Sequence, residues 1–245
     1  MSIIKISELE HKMVHDASKD YGEYWVYANE AIHLLQNFVD GVAIEAQAFS
    51  IFLSQIQKSS TLAVLSTLRR HDVQALIMIR HLSESTVLAA YSLVEYELNK
   101  YIYTSKNGYA MEKKDIKKRA YKWIEKEYPD ISKRIKLAKD QINDLYAHAN
   151  LLSAFTNYKI SEENNIVLEF FDKKDDVFTK QRLWWIGNIS FGIIDLITKV
   201  NRKHSLISTK DISNNMLRLM MLNNKLQEEL MKLPNFSAHI GKTLE

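Results

Sequence analysis

The segment Leu76-Ile77-Met78-Ile79-Arg80-His81-Leu82-Ser83-Glu84 sets an arginine and a glutamate four residues apart. In a helix that spacing places guanidinium and carboxylate one turn apart on one face, where they pair. The rest of their line, Val73, Ile77, Val87 and Tyr91, is apolar, so a helix laid over it would bury the pair. Burying two charges is a weak route to stability, because apolar residues of similar volume often serve as well. A sequestered Arg80–Glu84 pair is therefore expected to have work to do: Arg80 to stabilise phosphate charge, Glu84 to hold it. The alternative is an ordinary surface pair at helical spacing.

Other residues could share that chemistry. Gln141, Asp144 and His148 lie on one flank at i, i+3, i+7, which lets Asp144 orient His148 as a general acid–base. Asn188, Gly192 and Asp195 form a polar line in an apolar stretch. That line is read either as a pocket wall or as ordinary buried hydrogen bonding. Glu8, His11 and His15, and separately Glu30 and His33, have metal-ligand character. A bundle di-metal site needs matching Glu-x-x-His pairs on two helices, and no later pair occurs. No metal and no cofactor is expected.

Charge is concentrated. The chain carries +3 overall, yet residues 112 to 139 hold eleven Lys and Arg against five Asp and Glu, an excess of +6. Lys113, Lys114, Lys117, Lys118, Arg119, Lys122 and Arg134 are the candidate contacts to RNA or another polyanion. They interleave with Tyr121, Trp123 and Tyr128, which either stack on bases or turn inward beneath a solvated basic face.

Composition fixes what can position these groups. Six glycines and two prolines in 245 residues stand against about 17 and about 12 at average usage. A fold rich in tight turns is thereby excluded, and long helices are favoured. With no cysteine, disulfides, thiolate metal sites and thiol nucleophiles are excluded. Glycine-rich phosphate loops, nucleophile elbows and kinase signatures do not occur. No linker divides residues 1–245, so one domain is expected. The N-terminus has no signal-like apolar stretch, and Leu183 to Ile197 is too interrupted to span a bilayer. A cytoplasmic location away from membranes is expected.

The helices follow from apolar spacing. Trp25, Ala28, Ile32, Leu35, Val39, Val42, Ala46, Phe49, Leu53 and Ile56 alternate at three and four residues, which predicts one helix from Glu23 to Lys58. Ser59-Ser60-Thr61 then serves as a connection. A second helix, with Leu65, Leu68, Asp72, Ala75, Ile79 and Leu82 on its seam, runs antiparallel to the first and stops near Gly108. A basic helix covers Glu112 to Glu127. Another follows Tyr128-Pro129, its seam running from Ile131 to Leu152. A β-hairpin insertion is predicted over 155–171, then a central helix from Thr179 to about Lys203. A helix over 209–233 follows, opened by a Ser208–Asp211 capping box. Its seam carries a lone Asn223, which suits either docking on its own bundle or a homodimer. The expected fold is an all-α bundle of about six helices on a long antiparallel hairpin.

The Arg80-x-x-x-Glu84 helix, followed by Leu145-Tyr146-Ala147-His148-Ala149-Asn150, resembles an uncharacterised bacterial helical family. In outline that family is similar to the HEPN superfamily of small bundles. The resemblance implies a metal-independent ribonuclease or RNA-binding effector of prokaryotic defence. HEPN ribonucleases carry Arg-x(4–6)-His on one helix; here Asn143 stands where that arginine would precede His148. Arg80 and His148 would have to meet from separate helices. A non-enzymatic interaction or oligomerisation protein is the alternative.

Overall fold

Apolar side chains recurring every three to four residues drive the backbone into helices whose stripes can be buried only against one another. The computed structural model describes residues 1–146, 157–160, 165–172 and 175–233. Within these are nine helices: α1 (Ile3–His15), α2 (Ala17–Tyr21), α3 (Glu23–Asn37), α4 (Gln47–Leu68), α5 (Asp72–Ser92), α6 (Ile116–Glu127), α7 (Pro129–Tyr146), α8 (Asp176–His204) and α9 (Ser213–Met231). Three antiparallel two-stranded ribbons punctuate them: β1 (Val39–Val42) with β6 (Ile207–Thr209), β2 (Ile102–Thr104) with β3 (Ala110–Glu112), and β4 (Tyr158–Ile160) with β5 (Ile166–Leu168). The all-α bundle with small β insertions is thus the observed architecture.

The α4–α5 antiparallel hairpin is its spine, as expected, but the turn lies elsewhere. It falls at Arg69–His71, where Arg70 takes a left-handed conformation at φ 58°. Ser59, Ser60 and Thr61 sit inside α4. Ser60 and Thr61 donate their hydroxyls to the Gln57 carbonyl at 3.0 and 2.9 Å. Satisfied within the helix, these residues do not break it.

The predicted Glu23–Lys58 helix is two helices. The chain leaves α3 at Phe38, and Val39–Val42 pairs with Ile207–Thr209. A bulge falls between Val39 and Gly41, and a Cβ on Gly41 would meet Ser208 Oγ at 2.8 Å. The apolar spacing continues in phase through the break, which is why periodicity alone passes over it. The same ribbon removes Ser208 and Thr209 from the predicted capping box, so α9 opens at Ser213. Asp211 accepts the Ser213 backbone N–H at 3.0 Å.

α5 ends at Ser92, well short of Gly108. Tyr101 is buried and donates its hydroxyl to the Glu95 carbonyl at 2.7 Å, which fixes the reversal. Gly108, at φ 81°, serves the β2–β3 turn. The predicted hairpin over 155–171 is present as the shorter β4–β5 pair.

α8 is central, packing on α3, α4, α5 and α9. Its Gly187 admits Tyr27: a Cβ there would lie 2.4 Å from that ring. By length and composition α8 is long and apolar enough to cross a membrane, but half of the qualifying stretch is buried inside the bundle. The basic helices α6 and α7 pack on each other and on α5.

Candidate anion-binding site

Arg80 and Glu84 meet, with Nε to Oε1 at 3.3 Å, but they are not sequestered: their side chains are 37% and 21% exposed. The expectation of a buried pair is corrected here. α6 and α7 cover the Val87 end of the stripe and leave Ile77 exposed. What covers Glu84 is itself charged. Lys139 of α7 approaches Oε1 at 3.3 Å, and Lys117 of α6 approaches Oε2 at 3.6 Å. One carboxylate therefore faces three cations supplied by three helices.

Burial pushes the Glu84 carboxyl up, but Lys139, Lys117 and Arg80 together outweigh it and hold the group below its ordinary value. For Lys139, burial works downward. It is overcome by the hydrogen bond to the Tyr121 hydroxyl at 2.9 Å and by Glu84, which keep the ammonium above its ordinary value. Its Nζ also lies 4.4 Å from the Tyr121 ring centre. Tyr121 thus takes the inward of its two expected orientations, whereas Lys139 carries no mark in the sequence beyond its place in the basic segment.

His148 lies outside the described residues, as does the side chain of Asp144. A different imidazole stands beside the cluster. His81 Nδ1 is 2.8 Å from Oγ of the buried Ser59 on α4, which fixes the orientation of the ring. His81, Glu84, Lys117, Gln55 and Ser85 line a cleft of about 340 Å³ whose apolar wall includes Phe52 and Leu88. Sequence reasoning missed His81 because its partner, Ser59, was assigned to a loop.

Among the basic residues, Lys117 is committed to Glu84, and Arg119 pairs with Asp115 at 3.1 Å. Lys114, Lys118, Lys122 and Arg134 are exposed and Lys113 half-buried. None of these five makes an ion pair among the described residues. Tyr121, Trp123 and Tyr128 turn inward onto the core. Trp123 lies 5.7 Å from Tyr91 and 5.6 Å from Tyr128, centre to centre, so these rings are not offered to bases.

The Asn188–Asp195 pocket wall does not form. Asn188 accepts the Tyr27 hydroxyl at 2.8 Å, whereas Asp195 pairs with Lys199 on the surface at 2.6 Å. The histidines of the N-terminal set, His11 and His15, lie on the exposed side of α1, and Glu30 is held by Arg218 rather than His33. Asn223 accepts the Trp184 indole N–H at 2.8 Å. With Leu219, Leu226 and Leu230 buried, the α9 seam is filled within the chain.

Among the described residues, the buried ion pair is elsewhere. Arg182 and Asp72, 11% and 7% exposed, meet at 3.0 Å. The Asp72 backbone N–H donates to buried Asp172, and Arg182 lies between the Phe178 and Trp185 rings. Glu10 of α1 holds His71 at 2.8 Å beside them. The signal for this clamp was present in the sequence: Asp72 sits on an apolar seam, and Arg182 interrupts an apolar helix. No family model, curated protein or solved structure matches the chain.

Proposed function

We propose that this protein handles RNA or nucleotide phosphate through the surface where α5, α6 and α7 meet. The observation that carries the reading is Glu84 with three cations around it. Glu84, even with Glu112 on the wall of the same cleft, does not neutralise Arg80, Lys117 and Lys139, so the junction keeps a surplus of one positive charge beside an exposed basic face. Such a surplus attracts phosphate and displaces counterions. In line with the HEPN-like resemblance, the reading extends to metal-independent RNA cleavage of the defence-effector type. Arg80 would stabilise charge on the phosphoryl oxygens, Glu84 would orient Arg80, and an imidazole would move the proton.

The test is fluorescence anisotropy of a short labelled RNA across a salt series, with Lys117→Glu and Lys122→Glu. Wild type should bind with a slope of about −0.7 per phosphate contacted in log K against log salt. Each reversal should weaken binding and flatten that slope. An absence of binding at low salt, or a slope indifferent to both variants, would overturn the reading. For cleavage, RNA incubated with a chelator should yield 2′,3′-cyclic phosphate ends, lost in Arg80→Ala and in His81→Ala or His148→Ala. RNA left intact by wild type removes the enzymatic part alone.

A second reading, self-association, is favoured by one observation: Leu217, Met220 and Met221 stand exposed on the outer face of α9. Sedimentation velocity at increasing concentration tests it. A monomer throughout would remove it.

A further inference from the structure

Every residue of both strands of the β2–β3 ribbon is exposed, although Ile102 and Glu112, on one face, also line the cleft against α4 and α5. Isolated two-stranded hairpins are marginal in water, so this one must be held from outside its strands. It is anchored at its base, where Lys113 donates its backbone N–H to the Tyr101 carbonyl at 2.8 Å. At the tip, Ser105 N–H bonds the Tyr109 carbonyl at 2.8 Å, and Tyr109 N–H bonds Ser105 Oγ at 3.1 Å. The ribbon is therefore a built feature with an ordered turn.

Its register decides what it presents. Tyr103 pairs with Met111, and the Ser105–Tyr109 bond continues the ladder. By the two-residue period of a strand, Tyr103, Met111 and Tyr109 share one face. Their exposures are 46%, 47% and 70%. Two tyrosine rings and a thioether left in water contribute nothing to the core. Lys106 lies at the tip, and Lys113 and Lys114 at the base. Glu112 pairs with Ile102 on the opposite face, and Lys100 is shared with Glu97 at 3.9 Å. The basic α6 follows directly. Exposed rings flanked by ammonium groups that make no ion pair among the described residues match a partner with π-faces spaced along an anionic chain.

We propose that the β2–β3 ribbon is a docking arm for unpaired nucleic acid, with Tyr103 and Tyr109 stacking on bases and Lys106, Lys113 and Lys114 holding flanking phosphates. This rests on the RNA-handling reading above and goes beyond it. It joins Lys113 and Lys114 of the basic segment to Tyr103, Tyr109 and Lys106, which no sequence pattern marked, and it makes single strands, not duplex, the ligand. In a duplex the base faces are already stacked and closed to the rings.

The experiment measures anisotropy of the full chain with a single-stranded RNA, the same sequence as single-stranded DNA, and the RNA duplex. Tyr103→Ala/Tyr109→Ala should weaken single-strand binding at least tenfold while leaving the salt slope and the urea midpoint unchanged. Tyr103→Phe/Tyr109→Phe should bind as wild type, because the stacking ring is kept. Duplex binding should be weaker and indifferent to both changes. Should the lysine reversals on α6 weaken RNA while the alanine pair does not, the arm falls and the RNA reading stands. Equal loss in the phenylalanine and alanine pairs, or sedimentation with phosphatidylserine vesicles in place of RNA binding, also overturns the arm. If wild type binds no nucleic acid, both fall together.

Discussion

Replacing Glu84 with glutamine should destabilise the fold and tighten RNA binding, two effects of opposite sign from one atom change. Lys139 and Glu84 are each about one-fifth exposed, so their pair should exceed the 0.2–1 kcal/mol of exposed pairs and reach about 1 kcal/mol or slightly more. Arg80 and Lys117 are more exposed and add roughly 0.5 kcal/mol each. Removing the anion also leaves three cations facing one another, which brings the total to about 2–3 kcal/mol, below the 3–5 of a fully buried pair. With a urea m-value of about 3 kcal/mol/M for a chain this long, the midpoint should fall by nearly 1 M. The pH dependence has a definite sign. Glu84's carboxyl is held below its ordinary value in the folded protein, so its contribution is complete above the unfolded pKa of about 4.3 and disappears as pH falls through the folded value. The difference between wild type and Glu84→Gln should be full at pH 7 and close in acid. Meanwhile the variant gains one net positive charge at the junction, so its RNA affinity at low salt should rise severalfold. Urea unfolding at pH 7 and in acid, with anisotropy at pH 7, reads all three. A folded Glu84→Gln with unchanged stability, or with weaker RNA binding, would refute the electrostatic account of the junction.

Three further predictions concern the framework. Asp72→Ala should cost about 3–5 kcal/mol because it strands the buried Arg182 cation, whereas Asp72→Ala/Arg182→Met should recover most of that loss. Asp72 Oδ2 and Arg182 Nε already lack hydrogen-bond partners among the described residues, and a double-mutant cycle in urea measures the coupling. Gly187→Ala should destabilise by about 1–3 kcal/mol as its methyl displaces the Tyr27 ring. Gly192→Ala, in the same helix with nothing within 4 Å of the added carbon, should stabilise by about 0.5–1 kcal/mol; paired melts give both signs. Burial, and then Glu229, push the Tyr24 hydroxyl up to about 12. Its contribution is complete below pH 10 and is lost as pH rises toward 12, so Tyr24→Phe should lose less stability over that interval, read by urea titration.

The α4–α5 pairing and the central α8 were legible because burial demands a periodic stripe, and a stripe is a local property of the chain. Helix ends were less legible. Phe38 and Ser92 end helices because Val39–Val42 meets Ile207–Thr209 and because Tyr101 folds back onto Glu95. The partner lies far along the chain in the first case and several residues on in the second. The Arg80–Glu84 contact was legible from its four-residue spacing, whereas its surroundings were not. Lys117, Lys139 and Ser59 reach the neighbourhood of Arg80, His81 and Glu84 from three other helices, and only packing brings them there.

From its residues alone this chain was bound to be helical, poor in turns, free of thiol chemistry and locally basic, since those properties depend on composition and near-neighbour spacing. Which charged pair is buried was decided by tertiary structure. Asp72 and Arg182, far apart in sequence, meet where the α4–α5 turn abuts the start of α8, and Arg80–Glu84 stays half-open because the helices over it bring lysines. Desolvation is set by whatever packs on top of a group, and a linear pattern does not say what that will be.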